Sequence, residues 1–166
     1  MKNKNAQAWG IDLIIAGFIF TIGITSFYLY TINYTADSEE VIETLRYEGN
    51  IIADIILSEG YPKNWTLINV VSPGILSENK INETKLQNFY TLTISDYPKT
   101  KTLFNTRYDY LLLFNENLTI GANEINKIGK PGVSPGTISS ENLIKITRFT
   151  IYKNTPITVN LYIWEK

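Results

Sequence analysis

Charged side chains vanish from one part of this chain. Between Leu13 and Ala36 there is none, over 24 residues, and Ile, Leu, Phe and Tyr dominate the run with Gly and Thr between them. At a helical rise of about 1.5 Å per residue, roughly 20 residues cross a hydrocarbon core about 30 Å thick, so the pattern predicts one membrane-length helix. Trp9 precedes the run, and Tyr28, Tyr30 and Tyr34 stand near its far end. Amphipathic aromatics favour such places at the two membrane interfaces. The alternative, a helix buried on all sides, needs more protein around it than the remaining chain supplies.

The pattern then changes. Val41, Leu45, Ile52, Ile55 and Ile56 recur near helical period, with Glu39, Glu43, Arg46 and Asp54 between them, which predicts an amphipathic helix over residues 37–60. Asp37 to Glu40 has the form of a capping box, and Gly60 with Pro62 supplies the stop. The two segments read as one long spine, bent either near residues 33–37 or at Gly49. Beyond Gly60 the period shortens to two. Residues 66–71 read as a strand ended by Ser72-Pro73-Gly74, and residues 83–92 as a short helix capped by Asn82. A helical turn follows Pro98. Residues 108–114 read as a strand that pairs with 118–120 across 115–117. The Gly- and Pro-rich stretch 121–140 reads as a long loop. Residues 143–152 and 157–164 form a hairpin across 153–156. In its second strand Ile157, Val159, Leu161 and Ile163 alternate with Thr158, Asn160, Tyr162 and Trp164, the period of a half-buried strand. The second set is unusually aromatic, and predicts a cover from the helix, another strand or a neighbouring subunit. The expected fold is α+β: a long N-terminal hydrophobic helix, then a small antiparallel sheet of three to five strands packed on the C-terminal half of that helix.

Composition narrows the chemistry. The 166 residues hold no Cys and no His, which removes disulfides, thiolate nucleophiles and the usual general base near neutral pH. Fifteen basic and sixteen acidic side chains give a net charge of −1, against the basic excess a nucleic-acid surface needs. No phosphate loop, dinucleotide fingerprint or nucleophile elbow is present. No acidic spacing points to calcium or paired acid catalysis. We therefore expect no enzyme, no cofactor and no metal. Mean hydropathy is −0.06, an average of two unlike parts: a chargeless rod and a charged domain.

Charge also orients the rod. Lys2 and Lys4 precede it, while Asp37, Glu39, Glu40 and Glu43 follow it. The positive-inside rule puts the N-terminus in the cytoplasm and the domain outside. An ordinary secretory signal has its small-residue cleavage site after the apolar core. Here a small-residue junction, Lys4-Asn5-Ala6-Gln7, comes before it.

The first 35 or so residues, Met1 to Ala6 followed by Gln7-Ala8-Trp9-Gly10-Ile11-Asp12 and the apolar run, resemble the class III signal of archaeal type IV pilin-like proteins. The resemblance implies cutting between Ala6 and Gln7 by a membrane-embedded prepilin peptidase, which removes a leader of residues 1–6. It implies a transmembrane and filament-core helix over 7–36, an amphipathic continuation over 37–60 and an extracytoplasmic head over 61–166. The partners implied are the membrane, that peptidase, and other copies or related pilins packed through the helix, with a cell-surface filament as the end state. The family usually has a basic residue directly before the small one, whereas here Asn5 holds that place and Lys4 is one step back. A carboxylate inside an apolar segment is costly unless interfacial or paired, and pilin-like proteins often carry one near the new N-terminus. Asp12 fits that role, as partner of a neighbour's N-terminal amine. Its alternative is solvation at the interface or pairing with a lipid head group. Gly17, Thr21 and Thr25 recur every four residues, the small-residue pattern that lets helix backbones approach. An uncleaved single-span anchor displaying a small binding domain is the alternative to the whole scheme.

Four Asn-X-Ser/Thr sequons begin at Asn33, Asn64, Asn82 and Asn117. Asn64, Asn82 and Asn117 are the candidate glycosylation acceptors, Asn33 lying close to the membrane.

Overall fold

The computed structural model describes the backbone of residues 4–121 and 123–165, and the side chains of residues 10–31, 39–121 and 124–165. The chain divides into two units, Met1–Glu40 and Val41–Lys166. Helix α1, Lys4–Ile56, contributes to both. The capping-box restart falls within α1, and the Asp37 and Ser38 side chains lie outside the described residues.

In the first unit, Gly10–Thr31 is helical, apolar and long enough to cross a membrane, with a mean hydropathy of 1.9 and none of it buried. A helix satisfies its backbone donors and acceptors within itself, which is what allows such a segment to lie in lipid.

The second unit is α+β. After residues 41–56 of α1 come β1 (Leu76–Ser77), β2 (Lys80–Ile81), α2 (Glu83–Ser95), α3 (Tyr97–Leu103), β3 (Asp109–Ile120), β4 (Asn123–Gly129), β5 (Leu143–Tyr152) and β6 (Thr155–Trp164). The strands form one sheet in the order β1-β2-β5-β6-β3-β4. The sheet is six-stranded and mixed, not antiparallel with three to five strands. Short β2 runs parallel to β5, Lys80 opposite Ile151, and the other neighbours are antiparallel. The β5–β6 hairpin has β5 where expected, while β6 begins at Thr155, two residues before the expected start. Its turn is Lys153-Asn154, with φ of 48° and 67°. That left-handed pair makes the two-residue turn whose twist matches the strands.

Three other expectations fail. Residues 66–71 are a loop, not a strand. Asn69 Oδ1 accepts both the Thr66 backbone N–H (2.7 Å) and its hydroxyl (3.1 Å), so a side chain supplies a turn where a ladder was expected. Residues 115–117 are no turn: β3 continues through them, its register with β4 shifting between Leu113 and Leu118. The expected loop 121–140 contains β4, a weakly patterned strand whose Ile125 and Ile128 are separated by polar residues. Helix α2 begins at Glu83 with Asn82 as its cap, as expected, and runs three residues further than expected.

The core gathers Leu45, Ile52, Ala53 and Ile56 of α1, Leu86, Phe89 and Leu92 of α2, Tyr110, Leu112 and Phe114 of β3, and Val159, Leu161 and Ile163 of β6. Each such large apolar side chain, once buried, contributes about 1.5–3 kcal/mol. Gly49 is a close-approach position: a Cβ there would stand 2.6 Å from Ile146 Cδ1 and 3.0 Å from Ile163 Cγ2. Polar ties flank this contact, with the Thr106 hydroxyl on Glu48 Oε2 (2.5 Å) and the Arg148 guanidinium on Asn50 Oδ1 (2.8 Å).

Candidate functional site

The chain's largest uncovered apolar surface is the first part of α1. Leu13 is 73% exposed and Phe27 72%, and the Ile, Phe and Leu side chains between them stand open on every side of the helix. Water disfavours such a surface at about 25 cal/mol per Å² of apolar area, and its length suits a membrane span. Asp12 is exposed near its start. Gly17, Thr21 and Thr25 are exposed too, and a Cβ at Gly17 would meet nothing within 4 Å. The Thr21 hydroxyl donates back to the Gly17 carbonyl (2.8 Å), so its proton is satisfied inside the helix. What remains on that face is small size, which admits a neighbouring backbone. The side chains of Ala6 and Gln7 lie outside the described residues, as does that of Asn33.

The head holds two polar constructions that the sequence did not single out. At the first, Asp109 is buried at the start of β3. Lys130 Nζ meets its Oδ2 at 2.5 Å, Lys101 Nζ meets its Oδ1 at 3.2 Å, and the Tyr97 hydroxyl donates to Oδ1 at 3.2 Å. Burial pushes the Asp109 carboxyl up, but the Lys130 and Lys101 ammonium groups together pull it further down, and it ends below its ordinary value. Burial in turn raises the Tyr97 phenol, keeping it a neutral donor. The cluster ties α3 to β3 and to the chain just after β4. At the second, Lys85 on α2 is buried and its ammonium donates to the carbonyls of Glu59 (2.8 Å) and Leu76 (2.7 Å). Burial lowers its pKa. It fastens α2 to the exit of α1 and to β1. Neither position carried a sequence signal, because a lysine on an amphipathic helix ordinarily points to water.

The three candidate acceptors differ in setting. Asn64 is exposed on a turn. Asn82 caps α2, its Oδ1 accepting the Lys85 backbone N–H at 3.1 Å. Asn117 is exposed on β3 and donates to Glu124 Oε2 at 3.3 Å. The structure brings two of them together: Asn64 and Asn82 line one hollow of about 320 Å³ with Thr66, Ser77, Thr84 and Asn88. A larger groove of about 420 Å³ lies where Tyr90 and Ile94 of α2 meet Ile125 of β4 and Val133. Among the described residues, no three acidic side chains converge as metal ligands.

No family model, curated protein or solved structure matches the chain.

Proposed function

We propose that this protein is a structural subunit, major or minor, of an archaeal type IV pilus-like surface filament, held in the membrane by α1 before assembly. The observation that carries the reading is the union of a fully exposed, membrane-length apolar helix with a head whose own core is closed without it. Such a helix needs a permanent apolar surrounding, and a bundle of like helices supplies one as well as lipid does. The order of features at the N-terminus supports the filament: basic tip, Ala6-Gln7 junction, Asp12, apolar run. In this scheme the prepilin peptidase cuts ahead of Gln7 on the cytoplasmic side, and Asp12 pairs with the freed amine of a neighbouring copy. Gly17, Thr21 and Thr25 form the close-packing face. Within the head the sheet is laid against residues 41–56, and the head is displayed outside the cytoplasm. The protein's work is packing and display, without catalysis or cofactor.

One observation favours a second reading. Asn5, not a basic residue, precedes Ala6, which suits an uncleaved anchor that displays the head singly. Shearing whole cells separates the two readings. The filament subunit leaves with the sheared surface fraction, whereas an anchor stays wholly with the membrane.

A further inference from the structure

We infer that Asn64 is an N-glycosylation site and that the hollow beside it seats the first sugar of the attached glycan. The inference rests on the reading that the head is outside the cytoplasm, where lipid-linked glycan donors and their transferase act. The sequon Asn64-Trp65-Thr66 is held open by its middle residue. Trp65 is 2% exposed, and its indole N–H donates to the Gly74 carbonyl at 2.8 Å, anchoring the loop while the residues on either side turn outward. Asn64 is exposed, and its carboxamide makes no hydrogen bond among the described residues. Its Nδ2 is therefore available, and the Thr66 hydroxyl the sequon requires is at the surface, held within the same exposed turn by its bond to Asn69 Oδ1 (3.1 Å).

The hollow has the chemistry a sugar needs. Ser77 and Thr84 offer hydroxyls. Asn82 and Asn88 each keep one end of a carboxamide, since Asn82 Oδ1 accepts the Lys85 N–H and Asn88 Nδ2 donates to the Trp65 carbonyl (3.3 Å). The set is one of uncharged donors and acceptors matched to sugar hydroxyls. The ammonium of Lys85, which lines the hollow, is already spent on the Glu59 and Leu76 carbonyls, and that of neighbouring Lys63 is paired with Glu59 Oε2 at 3.0 Å. The other two acceptors are compromised. Asn82 is half-buried and its carboxamide is oriented by the cap of α2. Asn117 donates to Glu124 at 3.3 Å, and residues 118–120 are paired in the β3–β4 ladder, whereas Asn64 and Thr66 stand on a loop. A transferase would have to lift that sequon out of the sheet.

The transfer balances simply. Asn64 Nδ2 forms a bond to the anomeric carbon of a lipid-phosphate-linked glycan. The bond from that carbon to the phosphate oxygen breaks, the amide loses one proton, and the lipid phosphate leaves.

The test is peptide mass spectrometry on the full-length protein from its native cells, alongside Asn64→Gln, Thr66→Ala and Thr66→Ser, with protease added to intact cells as a separate measure of head exposure. We expect a glycan mass on the peptide bearing Asn64 and none on those bearing Asn82 and Asn117. The glycan disappears in N64Q and T66A and persists in T66S. A bare Asn64, or a glycan on Asn82 or Asn117 in its place, on a head that external protease cuts, overturns the inference and leaves the surface reading standing. A head that stays uncut on intact cells, with Asn64 bare, overturns both.

Discussion

Asp109 shows what a single side chain holds in this head. Its carboxylate is buried between Lys101, Lys130 and the Tyr97 hydroxyl, and Tyr97 in turn accepts the Tyr110 backbone N–H at 3.0 Å. Replacing Asp109 by Asn keeps the shape but leaves two ammonium groups without their counter-charge. Removing one partner of a buried ion pair costs about 3–5 kcal/mol. Both lysines keep some contact with water, so the lower end, about 3 kcal/mol, is expected for D109N at neutral pH. The sign with pH follows from the lowered carboxyl. Its stabilisation is fully present above the unfolded-state value of about 3.9 and is lost as pH falls through the still lower folded-state value. Urea denaturation at several pH values should show a gap between wild type and D109N that is constant near neutrality and closes only in strong acid. None of this was legible beforehand. The partners Asp109, Lys101 and Lys130 lie in β3, α3 and the chain after β4, and only the fold makes them neighbours.

At the scale of elements, legibility followed the strength of the local signal. The β5–β6 hairpin was readable because strict alternation on β6 and a short turn agree on one register. Helix α2 was readable because Asn82 announces its start, and the cap makes a checkable claim. Asn82→Ala removes the bond to the Lys85 N–H. It should lower stability by about 1 kcal/mol, a fall in Tm of about 4 °C seen by thermal denaturation. Elements decided by tertiary pairing were not readable. Strand β4 lacks alternation and exists because β3 offers it a ladder. The 66–71 segment has strand-forming residues, but Asn69 turns it back on itself, and Ile68 is left 96% exposed. The two-residue strands β1 and β2 are too short for any periodicity to reveal them, which is why the sheet was expected to be smaller and wholly antiparallel.

At the scale of the molecule, the division into an apolar helix and a closed head was visible from charge alone, because a chargeless membrane-length run has few physical explanations. The second face of the sheet remains a distinctive surface. Trp164 and Leu111 on it are buried, whereas Phe149 on β5 is 77% exposed, so an aromatic surface is covered at one end only. The candidate acceptors were named from sequence, but that Asn64 and Asn82 share a hollow while Asn117 lies in a ladder required the fold. The spacing of Gly17, Thr21 and Thr25, the proposed packing residues, was legible as a stripe of small size, and the Thr21 bond to Gly17 occupies that hydroxyl's proton within the helix. The proposed function stands or falls on the processing of α1 into a filament-core helix. Its most direct test is the intact mass and N-terminal peptide of the mature protein recovered from native cells. On that proposal a filament subunit begins at Gln7 and keeps the whole apolar run. A chain that begins at Met1, or anywhere beyond that run, would contradict it.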